Sequence, residues 1–478
     1  MNIISGNKQN SFYEDGFNYN TELNILLKEK LNKGYELELE SFLRKTDNTR
    51  IEENPKIKLK EINIKIQNAE KKLEAGDIYI DFTPFTINST LYGIRFENIK
   101  NIYDYNFFIA KKCRDECIYD DNKKALGFKI DKIFSFEKSK IQEIKAGFQT
   151  SIITESFDIT SYDKSVKKGV KNAVISTNGT LKFNENLNIV YEFARGGYVS
   201  DQTKTISDME FGNAIRIQPY FKNKKFNLRY LFYYVEPNFK TELGSAISDK
   251  LQNQINLNYI FSPKITLSIT ENYYFNKLSK SKAQIRTYND EKYLRLLFLY
   301  SESLNINPYV NYFKKNISNA ITQTYGVDIF KKINKSFSST LNYEYRGYED
   351  KNQNEYINRT SIGVNYYGEL RKKTLNISLN NSFEKSNKNN YVNINTSVNS
   401  RYDISKTTKI LFAINLNDFD SENLSSDFKF TRSFIEIEKE IKNNTYIRLK
   451  GEINKKTGED TKDNYTERRI ITRFETRF

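Results

Sequence analysis

Apolar and polar residues alternate with a period of two along almost the whole chain. Phe17, Tyr19, Thr21, Leu23, Ile25 and Leu27 share one face, with Asn18, Asn20, Glu22 and Asn24 on the other. After Asn32-Lys33-Gly34, Tyr35, Leu37 and Leu39 alternate with Glu36, Glu38 and Glu40. This period is that of a β-strand with one apolar and one polar face, and two such runs across a Gly-containing turn predict a hairpin. The pattern returns in 187–193, 226–234, 255–261, 265–269, 337–345 and 392–398.

Turn residues punctuate the pattern in two ways. Short turns are predicted near 31, 69, 100, 138, 185, 224, 263, 302, 334, 370, 405 and 441. The opposite connections read as longer and more polar: 45–55, 83–90, 112–124, 155–170, 198–209, 238–248, 277–291 and 456–463. Tight turns at one end and long loops at the other describe an up-and-down meander. Twelve short turns join two dozen strands, and a closing strand over 464–478 ends on the short-turn side. Residues 1–16 then read as the stub of a first strand and its loop, for 24 to 26 strands in a single domain over 1–478.

Composition decides what the apolar faces meet. The chain has 478 residues and a mean hydropathy of −0.70, with no run of the roughly 18 uncharged apolar residues a spanning helix needs. Yet 14% of residues are aromatic, too many for a disordered chain. A repeat of about 40 residues also suits a propeller, but the signature of that fold needs His and Trp, and the chain has neither. If the polar faces pointed outward, side chains could not fill a barrel this wide. Lipid outside and water inside resolves the pattern, and closure leaves no strand edge in hydrocarbon. The expected fold is all-β, a large transmembrane antiparallel up-and-down barrel. Tyr and Phe at strand ends, as in 273–275, 309–313 and 343–348, suit interfacial girdles or simply reflect β-propensity.

The chain closes with Ile470-Ile471-Thr472-Arg473-Phe474-Glu475-Thr476-Arg477-Phe478. Ile470, Phe474 and Phe478 share a face. This segment resembles the C-terminal β-signal of bacterial outer-membrane barrels, which the assembly machinery of that family reads. The resemblance implies a Gram-negative outer membrane, its lipid as environment and that machinery as partner. No basic and apolar leader begins at Met1, so the chain reads as lacking its signal peptide.

The residue inventory removes most chemistry. Without His there is no Ser-His or Cys-His pair and no His-containing metal site, and two cysteines cannot complete a Cys₄ zinc site. No enzyme activity, cofactor or metal is expected. The net charge is +15, but acids are interleaved with the bases and the aromatics lie on the opposite face, unlike a nucleic-acid surface. Cys113 and Cys117 flank Arg114-Asp115-Glu116 in a loop, either as a small disulfide, which an oxidising envelope permits, or as two free thiols. Arg448, Lys450, Arg469, Arg473 and Arg477 fall on lumen-side positions, with Glu36, Glu38 and Glu40 on an early strand. The cations either draw anions through a focused field or simply solvate the wall, offset by Glu452 and Glu475. Lys56, Lys58 and Lys60 are expected to pair across strands with the three glutamates.

Function follows from what fills so wide a lumen. The expected role is a pore for solute passage, open or narrowed by inward loops. The alternative is a secretion or export platform whose lumen holds a plugging subunit or lipoprotein. One further stretch bears on that alternative: Gly76-Asp77-Ile78-Tyr79 through Gly93-Ile94-Arg95-Phe96 resembles the Gly-Asp to Phe-Arg-Gly segment of fimbrial usher barrels, with the last residues in a different order. A lipopolysaccharide-exporting barrel would share the strand number, but its paired cysteines and Pro-rich lumen motifs are missing.

Overall fold

The computed structural model describes residues 2–6, 16–18, 20–46, 56–99, 103–112, 123–136, 139–155, 169–200, 206–276, 287–315, 320–350, 354–388, 390–421, 427–442, 445–458 and 464–476. Among these, 27 strands form one sheet. The first nine are β1 (Asn2–Gly6), β2 (Gly16–Asn18), β3 (Asn20–Lys30), β4 (Glu36–Thr46), β5 (Lys58–Gln67), β6 (Lys71–Thr83), β7 (Ile87–Ile99), β8 (Tyr103–Lys111) and β9 (Lys123–Ser135). The next nine are β10 (Glu143–Glu155), β11 (Lys171–Lys182), β12 (Leu187–Val199), β13 (Glu210–Lys222), β14 (Phe226–Val235), β15 (Lys250–Ser262), β16 (Ile265–Asn276), β17 (Thr287–Ser301) and β18 (Leu304–Lys315). The last nine are β19 (Ala320–Lys332), β20 (Phe337–Glu349), β21 (Asn354–Leu370), β22 (Lys373–Ser386), β23 (Tyr391–Ser405), β24 (Thr408–Ser421), β25 (Phe428–Lys442), β26 (Thr445–Gly458) and β27 (Tyr465–Thr476).

Consecutive strands pair antiparallel, as in β10–β11, β15–β16 and β25–β26. The ring closes through β1, which pairs with β27 (Asn2↔Ile471) and with β2 (Asn2↔Asn18). Among the described residues the ring is made of these 27 strands, β2 and β3 being the short and long pieces that follow β1 in the chain. The fold is therefore the large up-and-down antiparallel barrel that the alternation predicts.

All twelve expected short turns fall between paired strands, from β3–β4 to β25–β26. A shared chemistry explains several of them. Asn68, Asn184, Asn223 and Asn334 each accept, through Oδ1, from the backbone N–H two and three residues on, at 2.7–2.9 Å. The side chain mimics a backbone turn and reverses the chain in the fewest residues. Of the long connections, 83–90 is corrected. Only 84–86 separates β6 from β7, and Phe85 and Thr86 in this turn are buried.

The two faces of the wall differ as the alternation requires. Leu27, Ile109, Ile175, Ile435 and Ile470 point outward and are exposed. Tyr273, Phe275 and Tyr288 pack ring to ring on that face, with centroids 4.8–6.3 Å apart. The tyrosine-rich strand ends are not wholly outward, however: Tyr309 and Tyr274 share the inner face with Arg295 and Gln252, their register partners.

Each Asx turn contributes on the order of 1 kcal/mol. Changing Asn184, Asn223 and Asn334 together to Ala is expected to lower unfolding free energy by about 2–3 kcal/mol, read as a lower urea midpoint with unchanged m-value.

Candidate functional site

The hairpin of β6 and β7 leaves the wall and folds into the lumen. Near the short-turn end both strands belong to the barrel: β5 pairs with β6 from Gln67↔Lys72 to Asn63↔Gly76, and β7 with β8 from Ile99↔Asp104 to Tyr92↔Lys111. Gly76 pairs with Gly93, and beyond Asp77 and Tyr92 the two strands pair only with each other. Gly76 has φ +106, and a Cβ there would lie 2.1 Å from the Ile62 carbonyl oxygen. At Gly93 a Cβ would lie 2.2 Å from the Ile109 carbonyl oxygen. Both positions need glycine because the backbone bends where neighbouring strands approach it closely.

The bend exposes the edge of β5, and Asp77 covers it. The Ile62 N–H donates to Asp77 Oδ2 at 2.8 Å, and Asn63 Nδ2 donates to the Asp77 carbonyl at 2.9 Å. A side chain thus replaces the missing strand at the point of departure.

One face of the hairpin is apolar and packs on the inner wall. Ile78, Ile80, Phe82, Ile87 and Leu91 bury against Phe108, Ala110, Ala125 and Ile153. The tip residue Phe85 enters a second cluster with Val174, Ala194, Ala214, Val235 and Phe239. Polar anchors flank both clusters. Gln149 Nε2 donates to Thr83 Oγ1 at 2.8 Å and to Ser176 Oγ at 2.9 Å. The β14–β15 loop grips the tip from the other side: Ser245 and Ala246 N–H donate to the Pro84 carbonyl at 3.0 and 3.1 Å, and Asn88 N–H donates to the Leu243 carbonyl at 2.8 Å. Asn172 Nδ2 donates to the Lys240 carbonyl at 3.0 Å, and Lys123 pairs with Glu242 at 2.7 Å, which fixes that loop to the wall.

Six large apolar side chains of the hairpin are buried, at roughly 1.5–3 kcal/mol each, so the segment is held inward by on the order of 10 kcal/mol. That exceeds the few kcal/mol over which a lid can open and close, and the hairpin is a fixed obstruction.

Its opposite face, with Tyr79, Asp81, Asn88 and Thr90, is polar and turned to the open lumen. Beside it lies a recess of ≈ 630 Å³ lined by carboxylates and cations in a shared network. Lys72 pairs with Glu74 at 2.9 Å and Glu97 at 3.4 Å, and Arg95 contacts both glutamates and donates to the Tyr79 carbonyl at 3.1 Å. Glu38 accepts from Lys28 at 3.2 Å and Lys65 at 3.1 Å. A register shift at Phe42/Leu43 sets Lys58 opposite Arg44 and Lys65 opposite Glu38. Glu36 and Glu40 lie opposite Gln67 and Asn63.

On the last strands Arg448, Lys450 and Arg469 are joined to carboxylates. Arg448 Nε donates to Glu438 Oε2 at 2.7 Å, and Lys409 reaches the same carboxylate at 3.1 Å. Lys450 and Arg432 converge on Glu452 at 2.6 and 3.2 Å, and Arg469 meets Glu467 at 2.6 Å. Arg473 sits opposite Arg448 in the register. Ile470 is 51% exposed on the outer face, and Phe474 pairs with Ile447. Arg477, Phe478, Cys113 and Cys117 lie outside the described residues. No group of three or more acidic, Cys or His side chains that could hold a metal occurs among the described residues.

The hairpin is absent from the expected sites, although the sequence carries a trace of it. Inward positions of β8–β13 are small, with Ala110, Ala125, Gly127, Gly147, Ala194, Gly212 and Ala214, where other strands carry Asn, Lys or Glu. Phe108, Ile153 and Val174 break the alternation by placing apolar side chains inward.

No protein-family model and no curated protein matches the chain. Among solved structures it aligns with the P pilus usher PapC translocation pore at 8% identity, over 99% of this chain and 98% of that one, with a TM-score of 0.40. It also aligns with the ferric-catecholate import receptor Fiu from E. coli K12 (8%, 99% and 80%, 0.38) and with OccK3 of Pseudomonas aeruginosa (10%, 64% and 90%, 0.35). Such values carry no argument about the activity of this chain.

Gly76→Ala is expected to dislodge the hairpin. In a Cys113→Ser, Cys117→Ser background, a cysteine placed by Ile80→Cys should resist a membrane-impermeant maleimide, and adding Gly76→Ala should make it reactive. Equal labelling rates in the two variants would show that the bend does not depend on that glycine.

Proposed function

We propose that the chain is a Gram-negative outer-membrane barrel forming a water-filled channel, narrowed from within, through which solutes pass. The observation that carries this reading is the β6–β7 hairpin, fixed in the lumen by its apolar face while its polar face lines the remaining space. A hydrated face suits solutes that keep their water. The belt of exposed Leu, Ile and Phe on the outer face supports lipid as the surroundings. The residues mentioned give no support to catalysis, and no cofactor enters the proposal.

A secretion platform with a partner chain in its lumen is the second reading. It is favoured by one observation: the stretch resembling the usher segment, Gly76 to Phe96, contains the inward hairpin. Assembly through the β-signal residues Ile470, Phe474 and Phe478 belongs to both readings.

In a planar bilayer the purified protein should give a steady conductance, and replacing 79–90 by a short Gly-Ser turn should raise it severalfold. An unchanged conductance would remove the hairpin from the pathway. Very large, erratic currents from the intact chain, together with a co-purifying small protein or lipoprotein, would select the second reading.

Deleting Phe478, or making Phe474→Asp, is expected to reduce the heat-modifiable fraction recovered in the outer membrane. Full recovery of both variants would dissociate the C-terminus from assembly.

A further inference from the structure

Most inward cations named above are matched by carboxylates, but one part of the wall departs from this. On β12–β15, between the hairpin-holding residues Ala214 and Val235 and the turn at 223–225, lies a recess of ≈ 600 Å³. It contains Lys222 and Arg229, for which no carboxylate partner occurs among the described residues. Its one acid, Glu185, stands in the turn at the lip and joins neither cation. The Arg229 guanidinium lies over the Tyr220 ring, 5.3 Å from its centroid, which holds the plane of the fork and leaves its edge N–H groups for a ligand.

The remaining lining adds oriented donors. Asn258 Oδ1 accepts from Ser268 Oγ at 2.6 Å, and Asn256 Oδ1 accepts from Thr270 Oγ1 at 3.2 Å. With their oxygens engaged, both amides are left with their NH₂ groups to offer. An ammonium on β13, a guanidinium fork on β14 and two amide NH₂ groups on β15 line the same recess. A carboxylate monoanion has two oxygens for them, while a phosphate presents three or four and carries more charge.

From this juxtaposition we infer that Lys222, Arg229, Asn256 and Asn258 form a binding site for a phosphate-bearing solute on the lumen wall, at the short-turn side of the hairpin. The inference deepens the channel reading by naming the class of solute and rests on it. Binding itself is measurable on detergent-solubilised protein without any conductance, so the two stand or fall separately.

The test is titration calorimetry at low ionic strength with inorganic phosphate, and with acetate as comparison. Saturable phosphate binding is expected, with acetate at least about tenfold weaker. The double variant Lys222→Gln, Arg229→Gln should weaken phosphate binding by about tenfold or more, whereas Lys224→Gln, Lys225→Gln in the adjoining turn should leave it unchanged. Heat-modifiable mobility of each variant confirms that the barrel has folded. Absence of phosphate binding in the unmodified protein, equal affinity for acetate, or equal affinity in the double variant would each overturn the site. If phosphate binds as expected but the bilayer shows no conductance, the channel reading fails and the site stands.

Discussion

Every strand edge in this barrel must find hydrogen-bond partners, because an unpaired N–H or C=O buried away from water costs several kcal/mol. Closure through β1 meets the requirement for the ring as a whole. The departure of the β6–β7 hairpin breaks it locally, and the structure answers with a side chain: Asp77 binds Ile62 N–H at the place where the neighbouring strand turns away. The hairpin strands satisfy their inner edges on each other, and its tip is bound by the β14–β15 loop. An inward segment of this kind is affordable only because each of its exposed polar groups acquires such a substitute or faces lumen water.

What holds the segment in place is apolar packing, an unusual use of the inner wall of a barrel. Water-filled lumens are polar, yet here β8–β13 offer small and apolar side chains inward, and Ile78, Ile80, Phe85 and Leu91 fill the space. The barrel thus has a solid sector with a core like that of a soluble protein and an open sector lined by polar side chains. Rigidity follows from the first, and the second leaves the remaining space open. A constriction made in this way has a constant bore, in contrast to a loop held by a few surface contacts.

Charge in the open sector is organised by pairing. Glu38, Glu438 and Glu452 each receive two cations, so much of the wall has little net field despite its many ions. In a low-dielectric sleeve, a few unmatched charges then govern the potential, since matched ones cancel at short range. Lys222 and Arg229 have that position, while Arg448 and Arg469, which look equally available in the sequence, share their charge with glutamates.

The alternation of Leu27 with Lys28 or Ile453 with Glu452 was enough to place strands, faces and all twelve short turns, because the period of two is a property of the extended backbone and is written locally. Glycine at 76 and 93 and the small inward residues of β8–β13 were present in the sequence as well, but their meaning was not local. A hairpin with proper alternation reads as wall whether it stays in the wall or leaves it, and its apolar face suits lipid and lumen packing equally. Pairing of charges was likewise decided by register: the shift at Phe42/Leu43 puts Lys65 opposite Glu38. The sequence by itself determined a closed barrel with apolar residues outside. Only the tertiary structure decided which hairpin turns inward and which cations remain unmatched, because both depend on contacts between strands far apart in the chain.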